Sequence, residues 1–380
     1  MDRRLIELWW GDLPARAARL SGSLGFVLRD GEYLESVPPV AAYAPPIALL
    51  VGLLAGWLHP LAQEPFTTSV LLMACAVAVG TISAAVGTWL FAGYVVGDLF
   101  VARGPAFGGG VPDDLKTYAA ILLCDIVFAM LVVIIPITAR ALSAEVTARW
   151  FPRRGDLPTH VIAVVAVAAL AFAWAQGALV LTRPFFTWHG LSVPGAEIQS
   201  LQLAAIVVPS IAALAMATRA VLETRLLTMA ATRPAAEIRP ARAPLPEPVA
   251  LALRVAFAVF LLAGLMDSWV DALLVAIAMV ALLLLREPAL RRIETRLLVM
   301  LRLPILPRLL AGAVISAILS VLIVGIFGAD GFVRPIVVST LISLIVFSLL
   351  LPDSILGAAR EASASPIAPP LPPPEPATRS

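Results

Sequence analysis

Length, composition and charge limit the kinds of protein that this chain can be. It has 380 residues, of which 60% are hydrophobic and 14% are charged, with a formal net charge of +2 at pH 7. Soluble domains carry about 25% charged residues, so an ordinary soluble domain is excluded. The long apolar runs are continuous, whereas the strands of a transmembrane β-barrel alternate between apolar and polar residues. The sequence therefore predicts an all-α, polytopic helical membrane protein with short loops and no soluble domain.

The basic residues are nearly all arginine, and they form no cluster with interleaved aromatic residues. Lys116 is the one lysine among the 27 basic residues, and the chain contains no asparagine. We interpret this usage as the codon bias of a GC-rich bacterial genome, and we expect no nucleic-acid binding.

Residues 1–38 form the first segment of the chain, and they are mixed in polarity. In "MDRRLIELWWGDLPARAARL", leucines and Trp9 recur near helical spacing, with arginines between them. That pattern is typical of a helix at the level of the lipid headgroups; the alternative is a short soluble helix packed on loops. The first apolar run begins too late for a cleavable signal peptide. We therefore predict a cytoplasmic or interfacial amphipathic segment over 1–38.

Residues 39–351 are predicted to form a bundle of about 9–10 transmembrane helices, because roughly 20 apolar residues cross a bilayer. The sixth and seventh apolar runs are separated only by "MDSW", which predicts a tight helical hairpin. The apolar runs lie at 40–59, 67–101, 118–139, 160–182, 200–218, 249–266, 268–285, 308–327 and 335–351.

The run 67–101 is too long for one crossing and short for two. Its centre, "GTISAAVGT", is almost entirely small or hydroxylated, and broken helices within a membrane are tolerated where protein covers the freed backbone. We therefore predict two short, packed half-spans. The alternative is one tilted helix of roughly 50 Å at 1.5 Å per residue.

Gly93 and Gly97 are four residues apart, and we predict that they let another helix approach closely.

The distribution of arginine and lysine predicts which helix ends face the cytoplasm, since basic residues near crossings are retained there. When 67–101 crosses twice, or 40–59 dips in and returns, 22 basic residues lie inside and 4 lie outside. A single crossing gives 17 and 9 at best. The count favours an extra reversal before residue 101, with 140–159, 219–248, 286–307 and the C-terminus in the cytoplasm.

Three polar segments on the cytoplasmic side are predicted to meet protein subunits. The connectors 219–248 and 286–307 are rich in arginine, and the tail 352–380 is rich in proline and is expected to be disordered. Proline-rich sequences such as "PPLPPPEP" favour an extended helix that docks in aromatic-lined grooves. The alternating arginines and leucines of 286–307 also suit anionic headgroups of the lipid bilayer.

Ionisable groups at the bilayer centre cost about 2.5–3.5 kcal/mol or more, so each one within a predicted span indicates a structural or functional role. Asp125, in "ILLCDIVFAM", is the strongest candidate for a transport site. In the predicted topology an outer-facing cavity around Asp125 would bind a cation or a proton. The alternative is that Asp125 pairs with Arg334 or a backbone donor and holds helices together. The further polar candidates on this side are Asp98, Gln176, Arg334, Asp267 and Asp271.

Asp98 also lies in "GYVVGDLF", which is similar in part to the Gly-x-Gly-Asp motif of membrane aspartyl proteases. Only Gly97 and Asp98 match that motif. The resemblance implies that Asp98 and Asp125 would share a proton and activate water. The histidines and the two cysteines lack metal-ligand spacing, so we expect no metal and no cofactor.

The interior contains few ionisable residues for its length. We therefore predict a membrane-embedded subunit or scaffold of a larger complex, located in the cell membrane, without catalysis of its own. The alternative is a secondary transporter or permease that uses the cavity around Asp125. A more distant alternative is a membrane aspartyl hydrolase.

Overall fold

The computed structural model describes residues 2–20, 22–58, 69–102, 111–151, 157–188, 196–230, 247–264 and 305–327, with 269–270, 272–273, 276–277 and 342. Every regular element within these ranges is helical, and none is a strand. The predictions for residues 286–304 of the connector 286–307, for the second half of the connector 219–248 and for the tail lie outside the described residues.

The N-terminal segment packs against the bundle. Trp10 is buried, and its indole N–H donates a hydrogen bond to the carbonyl oxygen of Ala41 at 2.9 Å. The ring of Trp9 meets the ring of Trp89 edge-on, with centroids 4.9 Å apart. These two contacts attach the segment to α4 (Pro38–Trp57) and α6 (Ala84–Val96). The segment itself consists of α1 (Asp2–Ile6), a π-helical turn (Glu7–Asp12), α2 (Leu13–Leu20), α3 (Gly22–Arg29) and a 3-10 turn (Glu32–Ser36).

The run 67–101 forms two helices, α5 (Val70–Ile82) and α6, with Ser83 between them. Ser83 has an extended backbone, with φ −148° and ψ 114°, and its hydroxyl accepts a hydrogen bond from the Val86 N–H at 3.3 Å. A hydroxyl at this position satisfies a free N–H of the first turn, so Ser83 ends one helix and caps the next. The break lies within the stretch of small residues that the sequence analysis identified.

The chain turns back on itself at this break. A Cβ atom on Gly87 would lie 2.6 Å from the Cα atom of Gly80. In one straight helix these residues, seven apart, would be separated by about 10.5 Å along the axis. The α5 and α6 helices therefore fold against each other, and glycine at both positions permits the close approach.

The α4 and α6 helices run in the same direction and touch through glycine. A Cβ atom on Gly93 would overlap the carbonyl oxygen of Leu49, and one on Gly97 would overlap that of Leu53. Because increasing numbers on one helix meet increasing numbers on the other, the two helices are parallel. Two glycines of α4 meet the backbone of α6 in the same way, Gly52 and Gly56.

The remaining helices are α7 (Val111–Ala129), α8 (Ile135–Trp150), α9 (Leu157–Trp188), α10 (Ala196–Ala230), α11 (Glu247–Ala263) and α12 (Ile305–Phe327). The main core lies between the helices α4 to α10, and it contains fully buried side chains such as Phe128 on α7 and Val167 on α9. The α9 helix packs against α8 and α10, α10 packs along α5, and α11 contacts α7. A π-helical turn (Gly97–Ala102) follows α6, and another (Met130–Ile134) joins α7 to α8.

Four helical stretches in the described residues are long and apolar enough to cross a membrane: Pro38–Trp57, Leu115–Trp150, Leu157–Ala178 and Gln202–Leu226. Shorter apolar helices lie at Val70–Ile82, Ala84–Phe100 and Leu310–Leu322. The helices α8 and α10 extend more than ten residues beyond their apolar runs, to Trp150 and Ala230. Parts of the predicted connectors 140–159 and 219–248 are therefore helical, because sequences such as "RAVLETRLLTMA" combine good helix formers with the oppositely charged Arg219 and Glu223 one turn apart.

Candidate functional site at the helix break

A buried cluster of charged and polar side chains lies where α5 ends and α6 begins. The last carbonyls of α5 and the first N–H groups of α6 lack partners within their own helices and carry opposite partial charges. The side chain of Asp30, on the turn after α3, accepts a hydrogen bond from the Ala84 N–H at 2.7 Å. The Ser83 hydroxyl donates to the Asp30 carbonyl oxygen at 2.8 Å. An anionic side chain therefore caps the start of α6.

Arg219, from α10, occupies the other side of the break. Its guanidinium donates to both carboxylate oxygens of Asp30, at 2.9 and 3.0 Å, and to the carbonyl oxygen of Ile82 at 2.9 Å. Its Nε donates to Glu223, one turn later on the same helix, at 3.3 Å. Only 3% of the Arg219 side chain is exposed. This buried cation meets the negative end of α5, while Asp30 meets the positive end of α6.

Arg140 and Tyr33 complete the network. Arg140, from α8, donates to Asp30 through Nη1 and to the carbonyl oxygen of Pro136 through Nε, at 3.3 Å in the second case. The Tyr33 hydroxyl donates to the carbonyl oxygen of Ile82 at 2.5 Å, and the Arg219 guanidinium lies 5.4 Å from the centroid of the Tyr33 ring. The Asp30 carboxylate thus accepts from a backbone N–H and from two guanidinium groups, which fills its acceptor positions.

Burial and the two arginines act on Asp30 in opposite directions. Burial alone raises the pKa of a carboxyl group, but Arg140 and Arg219 outweigh it by charge and hydrogen bonding, so the pKa of Asp30 is held below its ordinary value. Burial raises the pKa of the Tyr33 hydroxyl to about 12. At neutral pH Asp30 is therefore ionised, and Tyr33 keeps the proton that it donates to Ile82.

A cavity of about 460 Å³ opens beside this network, between α8, α9 and α10. Its polar lining includes Arg140, Thr159, His160, Arg219, Glu223 and Thr224. A second cavity, of about 630 Å³, lies beside α11 and is lined by apolar and aromatic side chains. Of these two cavities, only the first is lined by charged side chains.

The residues that the sequence singled out lie elsewhere. Asp98 and Asp125 are completely buried, at 0% exposure. Asp98 lies in the turn after α6, and Asp125 lies on α7 beside Cys124, which packs near Leu99. Neither aspartate lines either cavity described above. The outer-facing cavity and the aspartyl hydrolase site therefore stay predictions.

Of the other predicted site residues, Gln176 is exposed on α9. Arg334, Asp267 and Asp271 lie outside the described residues. The pairing of Asp125 with Arg334 accordingly stays a prediction too.

Asp30 was not among the site residues predicted from the sequence, and Arg140 and Arg219 entered that prediction only through the count of basic residues. A usable signal was the position of both arginines, each directly after an apolar run, 118–139 or 200–218. Another signal was the Asp-Gly pair at Asp30, a common turn sequence. Gly31 has a left-handed φ of 103°, and a Cβ atom there would overlap the Ser83 hydroxyl, so this turn requires glycine.

A comparison of the chain with protein-family models gives no match, and comparisons with curated proteins and with solved structures give none either. The functional interpretation therefore depends on the geometry of the site itself.

Proposed function

We propose that this chain is a multi-pass protein of the cell membrane, with about 9–10 transmembrane segments, that acts as a membrane-embedded subunit or scaffold of a larger complex. We further propose that it has no catalysis of its own. The observation that carries this proposal is the Asp30–Arg140–Arg219 network. It ties together four separate parts of the chain: the N-terminal segment, the α5–α6 break, α8 and α10.

A network of this kind supports a rigid platform. Removing one partner of a buried ion pair costs about 3–5 kcal/mol, because the other charge is left uncompensated. Alternating access in transporters requires one group of helices to move against another. A buried link between four elements opposes such movement, so the geometry favours a fixed subunit over a moving transporter.

We place the partner contacts at the end of the molecule that contains the network. The α10 helix continues from Arg219 to Ala230, so the connector 219–248 leaves the bundle from this end. In the predicted topology, 286–307 and the tail 352–380 lie on the same cytoplasmic side. That side would present arginine-rich and proline-rich segments to protein subunits, while apolar helix faces contact the lipid bilayer.

Gentle purification of the tagged full-length protein from the cells that make it naturally, followed by quantitative mass spectrometry, tests this function. We expect a partner at near one-to-one abundance. Deletion of the residues after Pro352 should release a partner that docks on the tail, whereas Thr218→Val, at an exposed site on α10, should retain it. A preparation free of partners that transports a solute by itself would contradict the proposal.

A second candidate, a secondary transporter or permease, is favoured by one specific observation. In many transporters the ends of discontinuous helices surround the substrate and ion sites. Here the ends of α5 and α6 hold Arg219 and Asp30 next to a polar cavity. Solute uptake into vesicles that contain only the purified protein would support this candidate. Uptake by Asp125→Asn and by Asp125→Ala would then test whether Asp125 belongs to the outer half of the transport pathway.

A further inference from the structure

The cavity between α8, α9 and α10 contains hydrogen-bond donors that the network does not use. Arg140 donates through Nη1 and Nε, and its Nη2 makes no hydrogen bond to a described residue. Its side chain is 25% exposed. Thr159 and His160, at the start of α9, line the same cavity, and no side-chain hydrogen bond joins them to the described part of the chain. These three side chains form a set of donors that a ligand can reach.

Glu223 supplies an acceptor to the same cavity. Its Oε2 accepts from Arg219 at 3.3 Å, its side chain is 40% exposed, and its Oε1 accepts nothing from the residues that the structure describes. The formal charges of Asp30, Glu223, Arg140 and Arg219 cancel. A simple anion would be repelled by Glu223, and a simple cation would be repelled by Arg140. A group with both charges, separated by a few bonds, matches this arrangement better than either ion.

The position of the cavity relates it to the membrane surface. Arg140 directly follows the apolar run 118–139, His160 begins the run 160–182, and Glu223 lies just past the run 200–218. Polar residues at the ends of apolar runs lie at the level of the lipid headgroups. The volume of about 460 Å³ falls within the ordinary range of small-ligand sites, roughly 300–1,000 Å³.

We propose that this cavity binds a zwitterionic group, with its phosphate or carboxylate at Arg140, Thr159 and His160 and its ammonium at Glu223. The headgroup of an ethanolamine phospholipid and a small free zwitterion share this chemistry. The site is additional to the scaffold function, and it does not depend on a protein partner.

The test uses the purified full-length protein, stripped of lipid in detergent. It is titrated with ethanolamine, choline and glycerol phospholipids of matched chains, and separately with free phosphoethanolamine, with native mass spectrometry and thermal unfolding as readouts. We expect the ethanolamine lipid to bind most tightly. The quaternary ammonium of choline has no N–H to donate to Glu223, and glycerol has no ammonium at all. Binding of the lipid but not of phosphoethanolamine identifies a membrane source, and binding of both identifies the headgroup chemistry alone.

Variants assign the two halves of the site. Glu223→Gln should remove the preference for ethanolamine over choline, a change of about tenfold, because a charge-assisted hydrogen bond is lost. Thr159→Val should weaken all ligands about fivefold, since it removes one donor outside the network. Thr218→Val, an exposed threonine of α10 outside the cavity lining, is the matched control and should change nothing.

Three results would overturn the proposal. The first is tighter binding of the glycerol lipid, which would make this a simple anion site. The second is an unchanged ethanolamine preference in a folded Glu223→Gln protein. The third is the absence of binding in every arm of the titration.

Discussion

At the residue scale, Asp30 illustrates how a buried charge is stabilised. The side chain is only 7% exposed, and an isolated carboxylate in such surroundings would be strongly disfavoured. Two guanidinium groups and the first N–H of α6 compensate it, and the same arrangement neutralises the buried Arg219. Each charge is therefore stable only while the others are present, which makes the network an all-or-none unit.

The first prediction concerns this mutual dependence. Asp30→Ala and Arg219→Ala should each lower the free energy of unfolding by about 3 kcal/mol, because each leaves an uncompensated buried charge. The double variant should cost much less than twice that amount. Denaturant unfolding of the full-length protein in detergent measures all three values. Arg149→Ala, at an exposed arginine of α8 outside the network, should stay within about 0.5 kcal/mol of the original protein. Fully additive costs would mean that Asp30 and Arg219 do not interact.

The second prediction is a pH dependence of stability. The pKa of Asp30 in the folded protein lies below its ordinary value of 3.8. Its contribution to stability is therefore complete above that ordinary value and is lost as the pH falls through the lower pKa of the folded state. Thermal unfolding at decreasing pH should show a loss of stability in acid that is smaller in Asp30→Asn. Parallel curves for the two proteins would assign the acid sensitivity to other groups.

At the element scale, two features of the fold follow from short-range signals. The break at Ser83 lies in a stretch of small and hydroxylated residues, and the parallel contact of α4 with α6 uses glycines spaced four apart. Both signals are local, because helix capping and close backbone approach depend on residues a few positions apart. A sequence can therefore predict where a helix breaks or packs closely.

The charge network has no such local signal. Asp30 is separated from Arg140 by 110 positions and from Arg219 by 189 positions. Nothing in the spacing of these residues states that they meet, since the tertiary fold alone decides it. The ends of α8 and α10 have no clear local signal either. An apolar run ends at the first polar residues, whereas the helix continues through them.

The third prediction tests the glycine contact of α4 with α6. Gly93→Ala should lower the free energy of unfolding by about 2 kcal/mol, because the added methyl group overlaps the Leu49 carbonyl oxygen and forces the helices apart. Gly177→Ala is the matched control: a Cβ atom there meets nothing within 4 Å on α9. It should raise stability by about 0.5–1 kcal/mol through helix propensity. Equal effects of the two substitutions would contradict the close packing.

At the scale of the whole molecule, the network determines which segments share an end of the bundle. Because Asp30 contacts both Arg140 and Arg219, the N-terminal segment lies at the same end as the start of 140–159 and of 219–248. The reversal at Ser83 makes this arrangement possible, since α4 and α6 run in parallel and α5, which comes between them in the chain, runs in the opposite direction. A double crossing of 67–101 with this reversal is one of the two arrangements that count 22 basic residues inside and 4 outside.

The fourth prediction is that the end with the network faces the cytoplasm. Single cysteines are introduced by Arg16→Cys, Arg149→Cys, Arg225→Cys and Lys116→Cys, after both native cysteines, Cys75 and Cys124, are replaced by alanine. A membrane-impermeant maleimide added to intact cells should label only the variant at Lys116, and permeabilised cells should label all four. The positive-inside rule sets this expectation.

The pattern of labelling separates the fold from its orientation. The reverse pattern has the maleimide reacting from outside with Arg16→Cys, Arg149→Cys and Arg225→Cys but not with Lys116→Cys. In that case the three labelled segments still share one end of the bundle. The proposed cytoplasmic partners then lie on the wrong side. If Arg16→Cys and Arg149→Cys react from opposite sides, the N-terminal segment and α8 end in different compartments. In that case the Asp30–Arg140 contact cannot form, because the bilayer core of about 30 Å would separate two groups that must touch.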